Sequence, residues 1–395
     1  MSDKKNYAME TLLTHAGNHP EANHGIVNPP VYHASTVLYP TVADMERAQK
    51  DRLSGVFYGR YGTPTTFALE EAVAALEGGG RALALPSGLA AIGATLLSLL
   101  KSGDHLLMVD NAYGPARTLC DKTLGRFGIE VTYYNPLVGG GIADLMRPNT
   151  RLVYLESPGS LTFEVQDVPA IVAAAHAKGA LAVMDNTWAT PLLFRALGHG
   201  VDIVIYAATK YFVGHSDAML GVVVVRDPDL YRTVKLAAHG MGYCAGPDDC
   251  YLGLRGLRTM GVRLGRHGEN GLALARWLHG RPEVARVLHP GLPDVPGHAL
   301  WRRDFAGASG LFSFVLKPCA PKAVAAMVEG MRLFGMGASW GGYESLLLPV
   351  KPATMRTATT WEPGGPTLRL HAGLEAVADL IADLEDGFRR LAAAT

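Results

Sequence analysis

Short apolar runs alternate with helical patterns between residues 67 and 257 of this 395-residue chain. The runs are bounded by polar or turn residues, which is typical of buried strands. Strands are predicted at residues 105–109, 131–134, 151–155, 181–184, 202–207 and 220–225. Helices are predicted at 67–77 and 87–100, and a third is capped by Asp167, with Pro169 in its first turn and Gly179 beyond its end. This alternation predicts an α/β fold with a mostly parallel sheet covered on both faces.

The pattern changes at both ends of this region. Residues 1–60 are rich in Pro, His, Asn and Tyr and show little periodicity, which predicts an arm that packs on a partner subunit. After residue 255, an amphipathic segment at 257–278 precedes strands at 284–288, 310–316 and 367–370 and a helix at 374–391. We therefore predict an inter-subunit arm at 1–60, a large α/β domain at 61–255 and a smaller α+β domain at 256–395.

Composition and charge disfavour several classes of function. Lys plus Arg and Asp plus Glu both number 36, so the formal net charge is zero and nothing favours binding to nucleic acid or to an acidic membrane. The four cysteines lack CxxC spacing, which favours a reducing compartment. The N-terminus begins with polar residues and carries no apolar signal, so we expect a cytoplasmic protein that acts on a small molecule.

Two charged side chains end neighbouring apolar runs. Asp185 closes the run at 181–184, and Lys210 follows the run at 202–207. A lone lysine after a strand is usually solvated, so it predicts chemistry only together with other motifs. An amine and a carboxylate held in this way suit pyridoxal phosphate (PLP), which needs an amine for its aldehyde and an anion for its ring nitrogen.

Other motifs fit the same cofactor. Ser87 begins a helix in a small-residue turn, where free backbone N–H groups suit a phosphate, although a simple N-cap is the alternative. Tyr58 and Arg60 lie in a glycine-loosened segment and offer a phenol and a guanidinium to phosphate oxygens. Tyr113 follows a predicted strand and either stacks on a flat ring or packs on the surface as a turn residue. Arg369 alternates with apolar neighbours, so its partner is either a substrate carboxylate or a structural salt bridge.

These motifs resemble the PLP-dependent transsulfuration enzymes of cysteine and methionine metabolism, of the aspartate aminotransferase-like fold type I. The resemblance runs from end to end and implies a large, mostly parallel, seven-stranded sheet domain and a smaller C-terminal α+β domain. The motifs that occur in the family's order and at similar spacing are Tyr58-Gly-Arg60, Ser87-Gly88-Leu89, Glu156-Ser-Pro, Asp185-Asn-Thr, Thr209-Lys210 and Arg369.

The resemblance also implies residue roles. Lys210 binds the aldehyde and later acts as a base, Asp185 keeps the ring nitrogen protonated, and Tyr113 stacks on the ring and takes a proton from the substrate amine. The substrate is held by Arg369, Ser339 and Trp340, with Tyr58 and Tyr113 beside it. The phosphate is held by Ser87, Gly88, Leu89 and Thr209, and by Tyr58 and Arg60 from the neighbouring subunit of a homotetramer, a dimer of dimers. Ala207 departs from the family's Ser-x-Thr-Lys pattern, which removes one hydroxyl from this site.

Within the family, residues 159–162 and Trp340 are similar to the β-lyase branch rather than to the γ-enzymes. This implies α,β-elimination from L-cystathionine to homocysteine, pyruvate and ammonia, as a step of methionine biosynthesis. Cystathionine γ-lyase, methionine γ-lyase, sulfhydrylase or cysteine desulfhydrase chemistry remains the first alternative, and a PLP-binding regulator the second. The sequence has no GxGxxG after a strand and no HExxH or Cys/His ligand spacing, which disfavours a nicotinamide or metal site.

Overall fold

The computed structural model of the protein describes residues 7–394. Residues 1–6 lie outside the described residues. They belong to the predicted arm and to the polar N-terminus from which we predict that there is no signal segment. Within residues 7–394, no helix combines the length and apolar character that crossing a membrane requires.

The larger sheet has seven strands in the order β1-β7-β6-β5-β4-β2-β3. Only β7 runs antiparallel to its neighbours. The predicted α/β fold with a mostly parallel seven-stranded sheet is therefore confirmed. The strands are β1 (Arg81–Leu85), β2 (His105–Val109), β3 (Glu130–Tyr134), β4 (Thr150–Glu156), β5 (Leu181–Asp185), β6 (Ile203–Tyr206) and β7 (Gly221–Val225).

Helices cover both faces of this sheet and continue into the C-terminal part. Those before residue 245 are α1 (Met9–His15), α2 (Val42–Lys50), α3 (Pro64–Leu76), α4 (Gly88–Leu99), α5 (Gly114–Thr118), α6 (Val168–Ala177), α7 (Thr190–Leu193) and α8 (Pro228–Gly240). Those after it are α9 (Pro247–His279), α10 (His298–Asp304), α11 (Pro321–Glu329) and α12 (Val377–Ala393). Asp167 caps α6 by accepting a hydrogen bond from the Ala170 N–H, as the sequence predicts.

The smaller sheet has four antiparallel strands in the order β10-β11-β9-β8. Its strands are β8 (Val284–Leu288), β9 (Leu311–Leu316), β10 (Leu346–Val350) and β11 (Thr367–His371). α11 and α12 pack against each other. Their buried residues belong to the second apolar core, around Phe314 and Leu368, which confirms a C-terminal α+β arrangement.

Part of the N-terminal arm packs against the rest of its own chain. Leu13 of α1 is buried, and Arg258 of α9 donates hydrogen bonds to the carbonyls of Leu13 and Ala16, both at 2.9 Å. Later arm residues remain exposed, among them Val27 and Leu38. The start of the arm therefore packs on this chain, and the predicted contact with a partner concerns the residues after it.

Nine of these elements are absent from the sequence prediction: the strands β1 and β10 and the helices α1, α2, α5, α7, α8, α10 and α11. β1 is short and alternates alanine with leucine, and alanine favours helices more than strands. β10 contains Pro349, which suits its position at the edge of the smaller sheet, where β11 is its only neighbouring strand.

Candidate active site

Two carboxylates lie side by side at the carboxyl ends of β4 and β5. Glu156 and Asp185 are partners in the register of these parallel strands. Asp185 is buried and accepts a hydrogen bond of 3.0 Å from the Thr187 N–H. The Thr187 hydroxyl in turn accepts one of 2.8 Å from the Ala207 N–H. The register thus places two acidic groups together at the edge of the sheet where α/β proteins bind ligands.

The environment of these carboxylates favours a cationic ligand. Burial raises the pKa of Asp185, while hydrogen bonds from Thr187 and the charge of Lys210 oppose that rise. Burial raises the pKa of Glu156 well above its ordinary value, and the neighbouring Asp185 raises it further. A protonated pyridine nitrogen beside Asp185 would supply the positive charge that keeps this carboxylate ionised.

Lys210 follows β6 and reaches the same cavity. Its Nζ donates a hydrogen bond of 2.6 Å to the Ser339 Oγ and lies 5.5 Å from the centre of the Trp340 ring. Burial and the nearby Arg369 guanidinium lower the pKa of Lys210 to about 8, whereas Asp185 acts in the opposite direction. A neutral amine, which attacks an aldehyde or accepts a proton, is therefore accessible near neutral pH.

Arg369 projects from β11 toward the same cavity. One of its terminal nitrogens, Nη2, donates to the carbonyls of Gly337, Ala338 and Ser339 at 3.2, 2.9 and 3.0 Å. Burial lowers the pKa of Arg369 to about 10. No carboxylate in residues 7–394 forms an ion pair with this guanidinium, so the salt-bridge alternative has no partner there. Its surroundings suit a ligand carboxylate.

The N-terminus of α4 forms a narrow cradle. The Ser87 side chain accepts a hydrogen bond of 3.1 Å from the Ala90 N–H and so caps the helix. A Cβ at Gly88 would lie 2.5 Å from the Ala207 Cβ, so only glycine lets the two segments approach this closely. Leu89 also lines the cavity. The free N–H groups of this first turn suit a phosphate.

Thr209 lies in the cavity wall, but its hydroxyl already has partners. The Oγ1 donates to the Leu220 carbonyl at 3.0 Å and accepts from the Leu220 N–H at 2.8 Å. A phosphate contact of this hydroxyl would compete with the bond to the Leu220 carbonyl. The role of Thr209 in cofactor binding stays a prediction.

Tyr113 precedes α5 at the cavity mouth, where 44% of its surface is exposed. Its backbone N–H donates a hydrogen bond of 2.7 Å to the Glu156 Oε2. Burial and the charges of Asp185 and Glu156 raise the pKa of the Tyr113 phenol, which therefore stays protonated at neutral pH. This side chain is placed to pack against a flat ligand.

Tyr58 and Arg60 do not line this cavity. Arg60 donates to the carbonyl of His239 and lies over the Tyr61 ring, 4.9 Å from its centre. The Tyr58 hydroxyl accepts a hydrogen bond of 3.3 Å from the Ser35 hydroxyl. The single chain therefore does not bring these two residues to its own site, and their action in a neighbouring subunit stays a prediction.

The cavity that these residues surround has a volume of about 480 Å³. Its buried carboxylate, its amine of lowered pKa and its glycine cradle fit the ring nitrogen, aldehyde and phosphate of PLP. Sequence reasoning missed several wall residues: Glu156, Leu161, Phe163, Thr187, Trp188 and Met219. Three of them carry a sequence signal: Glu156 ends a strand as Asp185 does, and Leu161 and Thr187 lie in segments that carry the family resemblance. No group of three or more His, Cys, Asp or Glu side chains in the described part of the chain could hold a metal ion.

The chain is similar to known enzymes over nearly its whole length. It is 52% identical over 396 residues to a putative cystathionine beta-lyase of Rhizobium johnstonii, covering 98% of each chain. It is 45% identical over 398 residues to the cystathionine beta-lyase MetC of Escherichia coli, covering 99% of this chain and 100% of that one. A solved cystathionine gamma synthase from Xanthomonas oryzae pv. oryzae superimposes with a TM-score of 0.90 at 33% identity, covering 99% of this chain and 100% of the other.

The family described as Cys/Met metabolism PLP-dependent enzyme matches residues 10–389. This match includes every cavity residue described above, from the α4 cradle to Arg369. PLP is therefore the cofactor, as the sequence predicts, and this chain belongs to the Cys/Met metabolism family of PLP-dependent enzymes.

Proposed function

We propose that this chain is a carbon–sulfur β-lyase that cleaves L-cystathionine to homocysteine, pyruvate and ammonia. The observation that carries the proposal is Lys210, an amine with a lowered pKa that shares one cavity with Asp185 and Arg369. The relatives at 52% and 45% identity, both described as cystathionine beta-lyases, support this choice of substrate.

When bound, PLP supplies an aldehyde for the substrate amine and a ring that accepts electrons from the Cα–H bond. Arg369 binds the substrate carboxylate and orients the Cα–H bond, which contributes much of the rate. Lys210 removes the proton from Cα, Asp185 would keep the ring nitrogen positively charged, and Tyr113 would cover the ring. The bond between Cβ and sulfur then breaks, and the sulfur leaves with the proton that Lys210 removed from Cα. Water hydrolyses the remaining three-carbon fragment to pyruvate and ammonia.

Product analysis with L-cystathionine tests this proposal. Pyruvate with homocysteine supports the β-lyase, whereas 2-oxobutyrate with cysteine would assign a γ-lyase. The γ-enzymes remain the second candidate because the chain superimposes on a cystathionine gamma synthase along its full length. Absence of any turnover by the purified, PLP-loaded protein would favour a regulatory role instead.

Lys210→Ala tests the role of the amine. We expect loss of the visible absorbance band of bound PLP and loss of turnover, because Lys210 is the only lysine among residues 7–394 that lines the cavity. The exposed Lys178→Ala serves as the matched control and should keep both properties. A Lys210→Ala variant that keeps the band and the turnover contradicts the assignment.

We also propose that the enzyme acts in the cytoplasm as a homotetramer in which Tyr58 and Arg60 complete the phosphate site of a neighbouring subunit. The position of both residues outside their own cavity supports this arrangement. Light scattering on the purified protein tests it, and a monomer with full activity would exclude it.

A further inference from the structure

His371 lies beneath the loop at residues 337–345, which we call the substrate loop because it carries Ser339 and Trp340. His371 ends β11 and projects from the same face as Arg369, two positions earlier. Its side chain is buried, with 1% exposed. The Gly341 N–H donates a hydrogen bond of 3.1 Å to the His371 Nε2, and the His371 Nδ1 lies 3.1 Å from the Glu344 carbonyl oxygen.

These two contacts define the protonation of the ring. Since Nε2 accepts, Nδ1 carries the hydrogen and donates to Glu344. Burial lowers the pKa of His371 well below its ordinary value, and His267, Arg369 and Lys210 act in the same direction. The ring is thus a neutral imidazole that holds the substrate loop at two points.

The substrate loop also lies directly against the segment that carries the reactive lysine. Gly341 has φ of +89°, and a Cβ there would lie 3.0 Å from the carbonyl carbon of Lys210 and 3.1 Å from its Cα. The adjacent Trp340 ring packs on Tyr211, with 5.4 Å between ring centres. A shift at Gly341 would therefore move Trp340 relative to Lys210.

Arg369 forms the second attachment of the substrate loop, through its bonds to the carbonyls of Gly337, Ala338 and Ser339. All three bonds come from Nη2, so a substrate carboxylate that binds this nitrogen would compete with the carbonyls for it. His371 bonds the Gly341 N–H and the Glu344 carbonyl, which Arg369 does not bond. Its two hydrogen bonds therefore persist when the carboxylate binds. We propose that His371 is a positioning residue that keeps the substrate loop in its carboxylate-binding conformation through the bond to Gly341.

This inference rests on the proposed role of Arg369 in binding a substrate carboxylate. The test uses holoenzyme and L-alanine, an amino acid without a leaving group, whose binding is followed by the visible absorbance of the bound cofactor. His371→Gln keeps an acceptor near the Nε2 position, whereas His371→Asn places its amide near Nδ1 and cannot reach Gly341. We expect the dissociation constant of L-alanine to rise about 10-fold in the Asn variant and to stay within about 3-fold in the Gln variant.

Ethylamine, which lacks the carboxylate, is the matched probe and should bind all variants as it binds the unaltered enzyme. With cystathionine, the Asn variant should show the same rise in KM with little change in kcat. Equal dissociation constants of L-alanine in both variants, or an equal loss of affinity for ethylamine and L-alanine, would overturn the proposal. Either result would mean that His371 only packs in the core. The alanine measurement needs no bond cleavage, so it remains informative even if the β-lyase assignment fails.

Discussion

The lowered pKa of Lys210 leads to a direct titration experiment. The fall of this pKa from 10.5 to about 8 corresponds to about 3 kcal/mol of preference for the neutral amine, at about 1.4 kcal/mol for each pH unit. At pH 7, roughly 10% of the amine is then neutral, against roughly 0.03% for an unperturbed lysine. The structure therefore supplies about 300 times more reactive amine at that pH.

The perturbation is Arg369→Gln, which removes the second cause of the lowered pKa and leaves the first, burial. The pKa of Lys210 should then rise only part of the way toward 10.5, because the desolvation of the amine persists. Asp185→Asn removes a charge of opposite sign and should instead lower this pKa below 8. The two variants provide matched controls for each other.

The assay is the rate at which an amine-directed reagent labels Lys210 in the PLP-free protein, measured across pH by mass spectrometry of the peptide. The rate follows the neutral fraction and should reach half its maximum near pH 8 in the unaltered protein. The exposed Lys178 and Lys317 provide comparison peptides. A midpoint near 10.5, or a downward shift in Arg369→Gln, would refute the electrostatic reasoning.

Two further predictions concern the phosphate site. Arg60→Ala should weaken PLP binding by about 1.5 to 3 kcal/mol, the contribution of a charge-assisted hydrogen bond; an unchanged dissociation constant in equilibrium dialysis would count against Arg60. Gly88→Ala should also weaken PLP binding, because its Cβ would lie 2.5 Å from the Ala207 Cβ. Gly93→Ala in the same helix is its control, since that Cβ meets only the Leu119 Cδ2 at 3.6 Å, and binding should persist.

The sequence reveals the polar ends of the strands more readily than the contacts between distant segments. Asp185 and Lys210 could be found because they occur together with other motifs that suit the same cofactor and because parallel strands bring their carboxyl ends to one edge. The hydrogen bond between Gly341 and His371 joins residues 30 positions apart and leaves no periodic pattern. The phosphate-binding role of Tyr58 and Arg60 stays a prediction for a similar reason, since a single chain does not contain the site of a neighbouring subunit.

Local signals also have more than one interpretation. Arg226-Asp-Pro-Asp reads as a turn that ends β7, yet it begins α8. Asp227 accepts hydrogen bonds from the N–H groups of Asp229 and Leu230, and Pro228 occupies the first turn of the helix. Pro with Asp suits a turn and a helix start equally well, because both use the fixed φ of proline. Only the packing that follows distinguishes the two.

Helix α9 has a mechanical consequence. It contains 33 residues, so it extends for about 50 Å, and it contributes Leu254 and Leu257 to the first core and Leu274 and Leu278 to the second. The predicted domain boundary at 255 falls within it, and bending there would break consecutive backbone hydrogen bonds. A stiff rod embedded in both cores resists the opening of one domain away from the other. We therefore expect the substrate to enter through the cavity mouth, where Tyr113 is exposed, without the slower swing of a whole domain.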